Sequence, residues 1–182
     1  MNEEQLVKDC IEGIRLSQKQ FYEIFARKMM AVCLRYADSI EEAEDLLQEG
    51  FIKVFENLKY YRFEGPVEAW VRRVIVTQAT YKFKLKGDLK TFELTPEHQI
   101  EADESYNSDQ SLHANDIVKM IQKLPAGFRT VFNLYAIEGF NHREIANMLG
   151  ISEGTSKSQY ARARAILLKY LNTSEITAPL EK

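Results

Sequence analysis

The chain has 182 residues, 45% hydrophobic and 28% charged, enough for one ordinary domain or two small ones around a buried core. Its two cysteines, Cys10 and Cys33, offer neither a zinc ribbon nor a disulfide framework, so a reduced, cytoplasmic protein with no metal or cofactor is expected. The formal charge is −3, no stretch approaches the roughly 18 apolar residues of a membrane span, and the acidic start "MNEEQLVKDC" is no signal peptide.

The pattern predicts an all-α chain. Ser17 is expected to cap a first helix whose apolar positions are Phe21, Phe25, Met29, Val32 and Tyr36. Ser39 and Glu42, in capping-box spacing, open a second helix with the stripe Ala43, Leu46, Leu47, Gly50, Phe51, Val54 and Phe55. Gly65 and Pro66 start another, in which Pro66 suits the first turn. Three or four helices are expected here, with no alternating strand pattern.

Residues 88–111, "DLKTFELTPEHQIEADESYNSDQS", hold one Lys against seven acids. They lack helical periodicity, and such a segment buries too little apolar area to offset its ordering entropy. They are read as a flexible acidic linker of net charge −6. Residues 1–87 are neutral, with 14 Lys/Arg and 14 Asp/Glu. Residues 112–182 carry 9 cations against 6 acids, the basic end.

After the linker, helices are expected near 113–123, 126–138, 142–149 and 153–171. Asn141 and Glu144 have capping-box spacing, Gly150 suits a C-cap, and Ser152 caps the last helix. The final pair reads as a helix-turn-helix, because Ala146 and Gly150, four apart, allow close packing of its first helix on the second. On the second helix Ser156, Tyr160, Ala163 and Leu167 form one face, expected to be buried. Lys157, Ser158, Ala161 and Arg162 form the opposite face, suited to the major groove. Arg143 and Thr155, with the Ser152 end of the helix, are candidate phosphate contacts. His142, at a helix start, reads as a surface or phosphate contact. So few cations make one such unit a weak binder, and a second point of attachment is needed.

Catalysis finds no support. The acids Glu41, Glu44, Asp45 and Glu49 share a helix, but no Glu-x-x-His, His-Glu-x-x-His, phosphate-binding glycine loop or nucleophile elbow occurs. Solvated helix faces explain the carboxylates.

Three strings, "AEDLLQEGFIKVFENL", "YYRFEGPVEAWVRRV" and "LPAGFRTVFNLYAIEGFNHREIANMLGISEGTSKSQYARAR", together resemble the extracytoplasmic-function (ECF) group of bacterial RNA polymerase sigma factors. "EGTSKSQ" and "FEG" are similar to versions among Bacteroidetes members. The resemblance implies a first domain, residues 1–87, that binds core RNA polymerase and melts the minus-ten element. The linker, 88–111, leads to a second domain, 112–182, that reads the minus-thirty-five element of promoter DNA. It implies an anti-sigma factor as a further partner, and no membrane insertion. "DLLQEGF" is similar to the family's polymerase-binding helix, which docks on the β′ clamp helices. Asp45, Leu46, Gln48, Glu49 and Phe51 are carried over for that role, with simple core packing the alternative for Leu46 and Phe51. "NLKYYRFEGPVEAW" resembles the loop that captures a flipped base of the non-template strand. Tyr60, Tyr61 and Phe63 supply the rings there, and Lys59 and Arg62 the cations. Trp70 reads as core. Arg72, Arg73, Lys82, Lys84 and Lys86 are expected to form a basic strip along the backbone.

The chain departs from the family at several points. Thr77, Tyr81 and Lys84 stand where "N-x-x-x-D-x-x-R" is frequent, and Ser156 stands where many members carry Val. The Ala161 position is often larger and aromatic. These bear on promoter preference and melting and leave polymerase binding untouched. The alternative to the sigma reading is a stand-alone helix-turn-helix transcriptional regulator, in which "DLLQEGF" and the aromatic loop have no role.

Overall fold

The structure, a computed structural model, describes residues 2–85 and 114–176. The expected linker at 88–111, with Lys86, His98 and His113, lies outside the described residues. Among these residues there are eight α-helices and no strand. The chain divides into two units, Met1–Lys82 and Phe83–Lys182.

The amino-terminal unit begins with a helix the periodicity did not announce. Helix α1, Glu3–Ile11, is capped by Asn2, whose Oδ1 accepts from the Glu4 amide at 3.1 Å. Leu6, Val7 and Cys10 are its whole buried stripe. Helix α2, Arg15–Cys33, starts two residues before the expected cap. Ser17 does not cap it: the side chain is buried inside the first turn and donates to Asp9 Oδ2 at 3.3 Å, tying α2 to α1. Tyr36 lies beyond the end of α2, outside the stripe assigned to it.

Helix α3, Ile40–Asn57, follows the sequence closely. Ser39 Oγ accepts from the Glu42 amide at 3.1 Å. The reciprocal bond goes one residue further back than a capping box requires, with Glu42 Oε2 accepting from the Asp38 amide at 2.7 Å. Ala43, Leu46, Leu47, Gly50, Phe51 and Val54 are buried. Phe51 meets Tyr22 of α2 edge-on at 4.6 Å, and Phe21 meets Phe25 at 4.7 Å and Phe55 at 5.8 Å. A short 3-10 turn, Leu58–Tyr60, leads into a loop and then α4, Val67–Leu85. Pro66 sits just ahead of α4, its carbonyl accepting from the Ala69 amide. Gly50 lets α3 and α4 approach, since a Cβ there would come within 2.9 Å of Ile75 Cγ1.

Burial pushes the Cys10 thiol up to about 11, with help from the Asp9 charge, and the Cys33 thiol up to about 12. Neither supplies the thiolate that redox or metal chemistry needs.

In the carboxy-terminal unit, α5 is Ala114–Gln122 and α6 is Ala126–Phe132. The helix expected over 126–138 is present, with its last turn widened: α6 passes without a break into a π-turn at Asn133–Ile137. The buried Arg129 donates from Nη1 to the Gln122 carbonyl at 2.9 Å, bracing α6 on α5. Helix α7, His142–Leu149, carries the full capping box between Asn141 and Glu144 and ends on Gly150 at φ +72. That left-handed conformation costs an L-residue about 1–2 kcal/mol and glycine almost nothing. Helix α8, Glu153–Ile176, is capped by Ser152, whose Oγ accepts from the Thr155 amide at 2.9 Å. Val131, Leu134, Ile145, Leu149 and Ala163 form the core of the unit.

Candidate nucleic-acid and polymerase interfaces

The predicted two-faced character of α8 is present. Ser156 and Ala163 are fully buried, Tyr160 and Leu167 half-buried. Gln159, not foreseen, is buried with them. Lys157, Ser158 and Ala161 are exposed and Arg162 is half-buried, so these four do share an outward surface. Ser158 Oγ donates to the Thr155 carbonyl at 2.9 Å, which commits its proton and leaves its lone pairs to accept from a base-edge amino group. Thr155 is part of the cap, its hydroxyl 2.8 Å from that of Ser152. Arg143 is exposed in the first turn of α7.

Lys157 is held by Glu153, with Nζ to Oε1 at 2.8 Å. Lys157 in turn, by hydrogen bond and charge, holds the Glu153 carboxyl below the usual carboxylate range, with smaller contributions from His142 and Arg143. An acid therefore sits among the groups meant for phosphate. Glu153→Gln is expected to tighten duplex binding by about two- to five-fold, the scale of an exposed ion pair, with the gain shrinking at high salt. Fluorescence anisotropy of a labelled duplex at two salt concentrations measures it. An unchanged affinity would mean that Glu153 does not hold Lys157 back from the duplex.

His142 is the residue that sequence reasoning misplaced. It is half-buried in the α7–α8 seam, its Nδ1 2.9 Å from Ser156 Oγ and its ring stacked on Tyr135 at 4.2 Å.

In the amino-terminal unit the aromatic loop divides into two kinds of ring. Tyr60 is 66% exposed and carries Lys59 Nζ 5.1 Å above it. Phe63 is exposed and sits at φ +60, the one non-glycine residue with positive φ among the described residues. Such strain collects at functional positions, where the surroundings hold it. Tyr61 is different. Its hydroxyl donates to the Gly65 carbonyl, and its ring lies 4.9 Å from Phe63 and 5.6 Å from Trp70. Tyr61 braces the loop, while Tyr60 and Phe63 leave their rings open to solvent. Arg62 is exposed beside them. Trp70 is half-buried rather than core, and it borders a cavity of about 250 Å³ with Lys53, Asn57, Arg73 and Thr77.

The expected basic strip does not exist as one row. At 100° per residue, Arg73 and Lys84 point the same way, and Arg72 and Lys82 point elsewhere. Lys82 is committed to Glu49 at 2.8 Å. The outward face of α4 instead carries Arg73, Thr77, Tyr81 and Lys84, all exposed. Thr77 returns its hydroxyl to the Arg73 carbonyl at 2.8 Å, presenting a methyl group outward.

The polymerase-binding set also divides. Leu46 and Phe51 are each 3% exposed and belong to the core. Their places on the apolar stripe decide this. Glu49 accepts from Lys82 and, at 3.4 Å, from Gln78, and so clamps α3 to α4. Asp45 and Gln48 are exposed. With them on one face lies Ile52, 56% exposed, which sequence reasoning missed. The signal was present: an apolar residue off the buried stripe.

Two family profiles match this chain, sigma-70 region 2 over residues 21–86 and sigma-70 region 4 over residues 114–167. The chain is 29% identical to the ECF RNA polymerase sigma factor SigE of Mycolicibacterium smegmatis over 150 residues, 80% of this chain and 58% of that protein. It is 27% identical to the ECF sigma factor SigW of Bacillus subtilis over 183 residues, 92% of this chain and 98% of that one. This chain belongs to the sigma-70 family of sigma factors, and both of these relatives are of the ECF group. The fold is shared with the sigma factor RpoE of Bartonella quintana, solved with its anti-sigma factor NepR, at 22% identity and a TM-score of 0.52, over 85% of this chain and 96% of that one. The region 4 profile takes in α7 and α8 as far as residue 167, so the helix-turn-helix lies within the DNA-binding region 4 of this chain. Among the described residues no helix is long and apolar enough to cross a membrane.

Proposed function

We propose that this sigma factor docks on core RNA polymerase through the outward face of α3 and opens promoters with the loop and outer face of α4. We further propose that it reads the minus-thirty-five element with α8. The observation that carries the reading is the two-faced build of both helices. On α3, Asp45, Gln48 and Ile52 stand outward over a buried stripe, two polar groups beside an apolar anchor. On α8, Lys157, Ser158 and Arg162 stand outward over Ser156 and Ala163. Tyr60 and Phe63 offer faces to unstacked bases, each worth about 1–3 kcal/mol. The cavity beside Trp70, rimmed by Lys53 and Arg73, suits a flipped base with its phosphate. Thr77 and Tyr81 make the α4 face less polar than the family pattern, which shifts the bases it prefers.

The domains follow as residues 1–87, 88–111 and 112–182. The 24-residue acidic segment reaches at most about 79–86 Å. Polymerase therefore holds the two DNA-reading parts apart, and two weak sites on one scaffold gain by effective concentration. This is why a chain of charge −3 can serve a promoter: most of the grip belongs to the polymerase. The protein acts in the cytoplasm, and the "EGTSKSQ" wording suits a Bacteroidetes source. An anti-sigma factor is a further partner. An open apolar groove of about 400 Å³ between α5 and α8, lined by Ile117, Met120, Phe132 and Leu168, fits a partner helix, and RpoE of B. quintana was solved with such a protein.

The test is size exclusion of the chain mixed with sigma-free core polymerase, beside Asp45→Lys/Gln48→Ala. Co-elution is expected, lost in the variant while its melting temperature stays within about 2 °C of the parent, as surface changes allow. A folded chain that never co-elutes would return the protein to the stand-alone regulators.

A further inference from the structure

Ser156 is fully buried in the seam between α7 and α8, yet it is polar. A serine inside a helix ordinarily returns its hydroxyl to the carbonyl four residues back. Here that carbonyl, of Ser152, accepts from the Ser156 amide at 3.0 Å, and the hydroxyl meets His142 Nδ1 across the seam at 2.9 Å. The imidazole is fixed a second way. It lies parallel to Tyr135, 4.2 Å away and 10° out of plane. Tyr135 hangs from the π-turn, a feature that often marks functional positions. Tyr160, one turn beyond Ser156, closes the group at 4.5 Å from Tyr135 and 6.0 Å from His142.

We propose that His142 is a positioning residue for duplex reading: paired with Ser156 and held by Tyr135 and Tyr160, it sets the rotation of α8 about its own axis and so the aim of Lys157, Ser158 and Arg162. The proposal rests on α8 being the duplex reader. A purely apolar seam resists separation but only weakly resists rolling. A hydrogen bond along one ring direction and a stack across the other resist both. The need is geometric: a roll of 10° moves a side-chain tip 5–6 Å from the axis by about 1 Å. Base-edge bonds must hold within about 0.5 Å. Lys157 and Ser158 directly follow Ser156, so any roll reaches them in full.

The pair also has a preferred protonation state. Charged groups near His142 are Lys157 and Glu153 on α8 and Arg143 on α7, with the phenols of Tyr135 and Tyr160 beside the ring. Burial, then the Lys157 charge, lowers its pKa against a smaller opposing pull from Glu153. The ring is therefore neutral at neutral pH. A neutral ring satisfies Ser156 in either sense. An imidazolium must donate from Nδ1, which turns the buried serine proton away with no acceptor prepared for it.

The experiment uses holoenzyme, the full chain on core polymerase, to select from a library of fully randomised 40-base-pair duplexes. Wild type, His142→Phe, Ser156→Ala and the double variant are compared at pH 7.5 and 5.5, and the enriched upstream and downstream motifs are sequenced. Each single variant leaves one polar atom of the pair unmatched. Its upstream enrichment is expected to fall at least about two-fold, the lower end of coupling between touching residues, and to fall no further in the double variant, which lacks the same one contact. Between pH 7.5 and 5.5 the wild-type upstream motif should weaken more than that of the double variant, while the downstream motif moves equally in both. Single variants with wild-type upstream enrichment, or a double that regains it, overturn the proposal. Should one single variant fail to fold, the other single and the double variant decide at pH 7.5, and a double that regains wild-type upstream enrichment overturns it. A wild type that enriches a downstream motif alone sinks duplex reading by α8 itself.

Discussion

Phe51→Ala is expected to cost the amino-terminal unit about 3–5 kcal/mol, the range for truncating a buried phenylalanine. In a domain of this size that lowers the melting temperature by about 12 °C or more. The ring is 3% exposed, stands edge-on to Tyr22 at 4.6 Å and lies 6.2 Å from Phe55. No rearrangement short of moving α2 against α3 fills the space it leaves. Asp45→Lys, six residues away on the outward face, should leave the melting curve almost unchanged. The two substitutions thus separate folding from docking on one helix. Thermal unfolding followed by circular dichroism, with polymerase co-elution on the same samples, measures both. A Phe51→Ala protein that melted like wild type but failed to bind polymerase would make the ring a docking group after all.

That contrast shows what was legible beforehand. The α3 stripe, the Ser39 cap, the Asn141–Glu144 box and the Gly150 turn are local, each settled by residues three or four apart. The outward face of α8 followed from helical geometry for the same reason. The motif "DLLQEGF" lies wholly on α3 but does not give the direction of its side chains, and the stripe already placed Leu46 and Phe51 inward. Three features were not legible because their partners are distant or their patterns short. Helix α1 shows only Leu6, Val7 and Cys10 to the core, too few for a run. Glu49 pairs with Lys82, 33 residues on, a contact between α3 and α4 that no local pattern announces. His142 and Ser156 meet across a turn, and the π-turn that brings Tyr135 to them has no sequence period of its own. Ser156 was visible as a departure from the family, but its partner appears only when α7 is laid against α8.

Arg162→Ala should show how a weakly basic reader achieves selectivity. The carboxy-terminal 71 residues, 112–182, carry a formal +3, so the unspecific attraction to DNA is small and a few aimed contacts must discriminate. Arg162 is half-buried at the far end of the outward face, four residues beyond Ser158, where its guanidinium is better ordered than a free surface arginine. A bidentate contact to a guanine edge is worth about 1–3 kcal/mol, or about five- to 150-fold between the right base and the wrong one. The substitution is expected to erase preference at one base position and leave the salt dependence nearly intact. Arg143→Ala should do the reverse. It weakens all sequences alike and lowers the salt slope by about 0.9, the signature of one phosphate left without its cation. Holoenzyme binding to the selected upstream motif and its single-base variants, at two salt concentrations, distinguishes them. If Arg162→Ala lowers the salt slope and spares every base preference, then Arg162 clamps the backbone. Selectivity would then fall to Lys157 and Ser158, the two side chains nearest the His142–Ser156 pair.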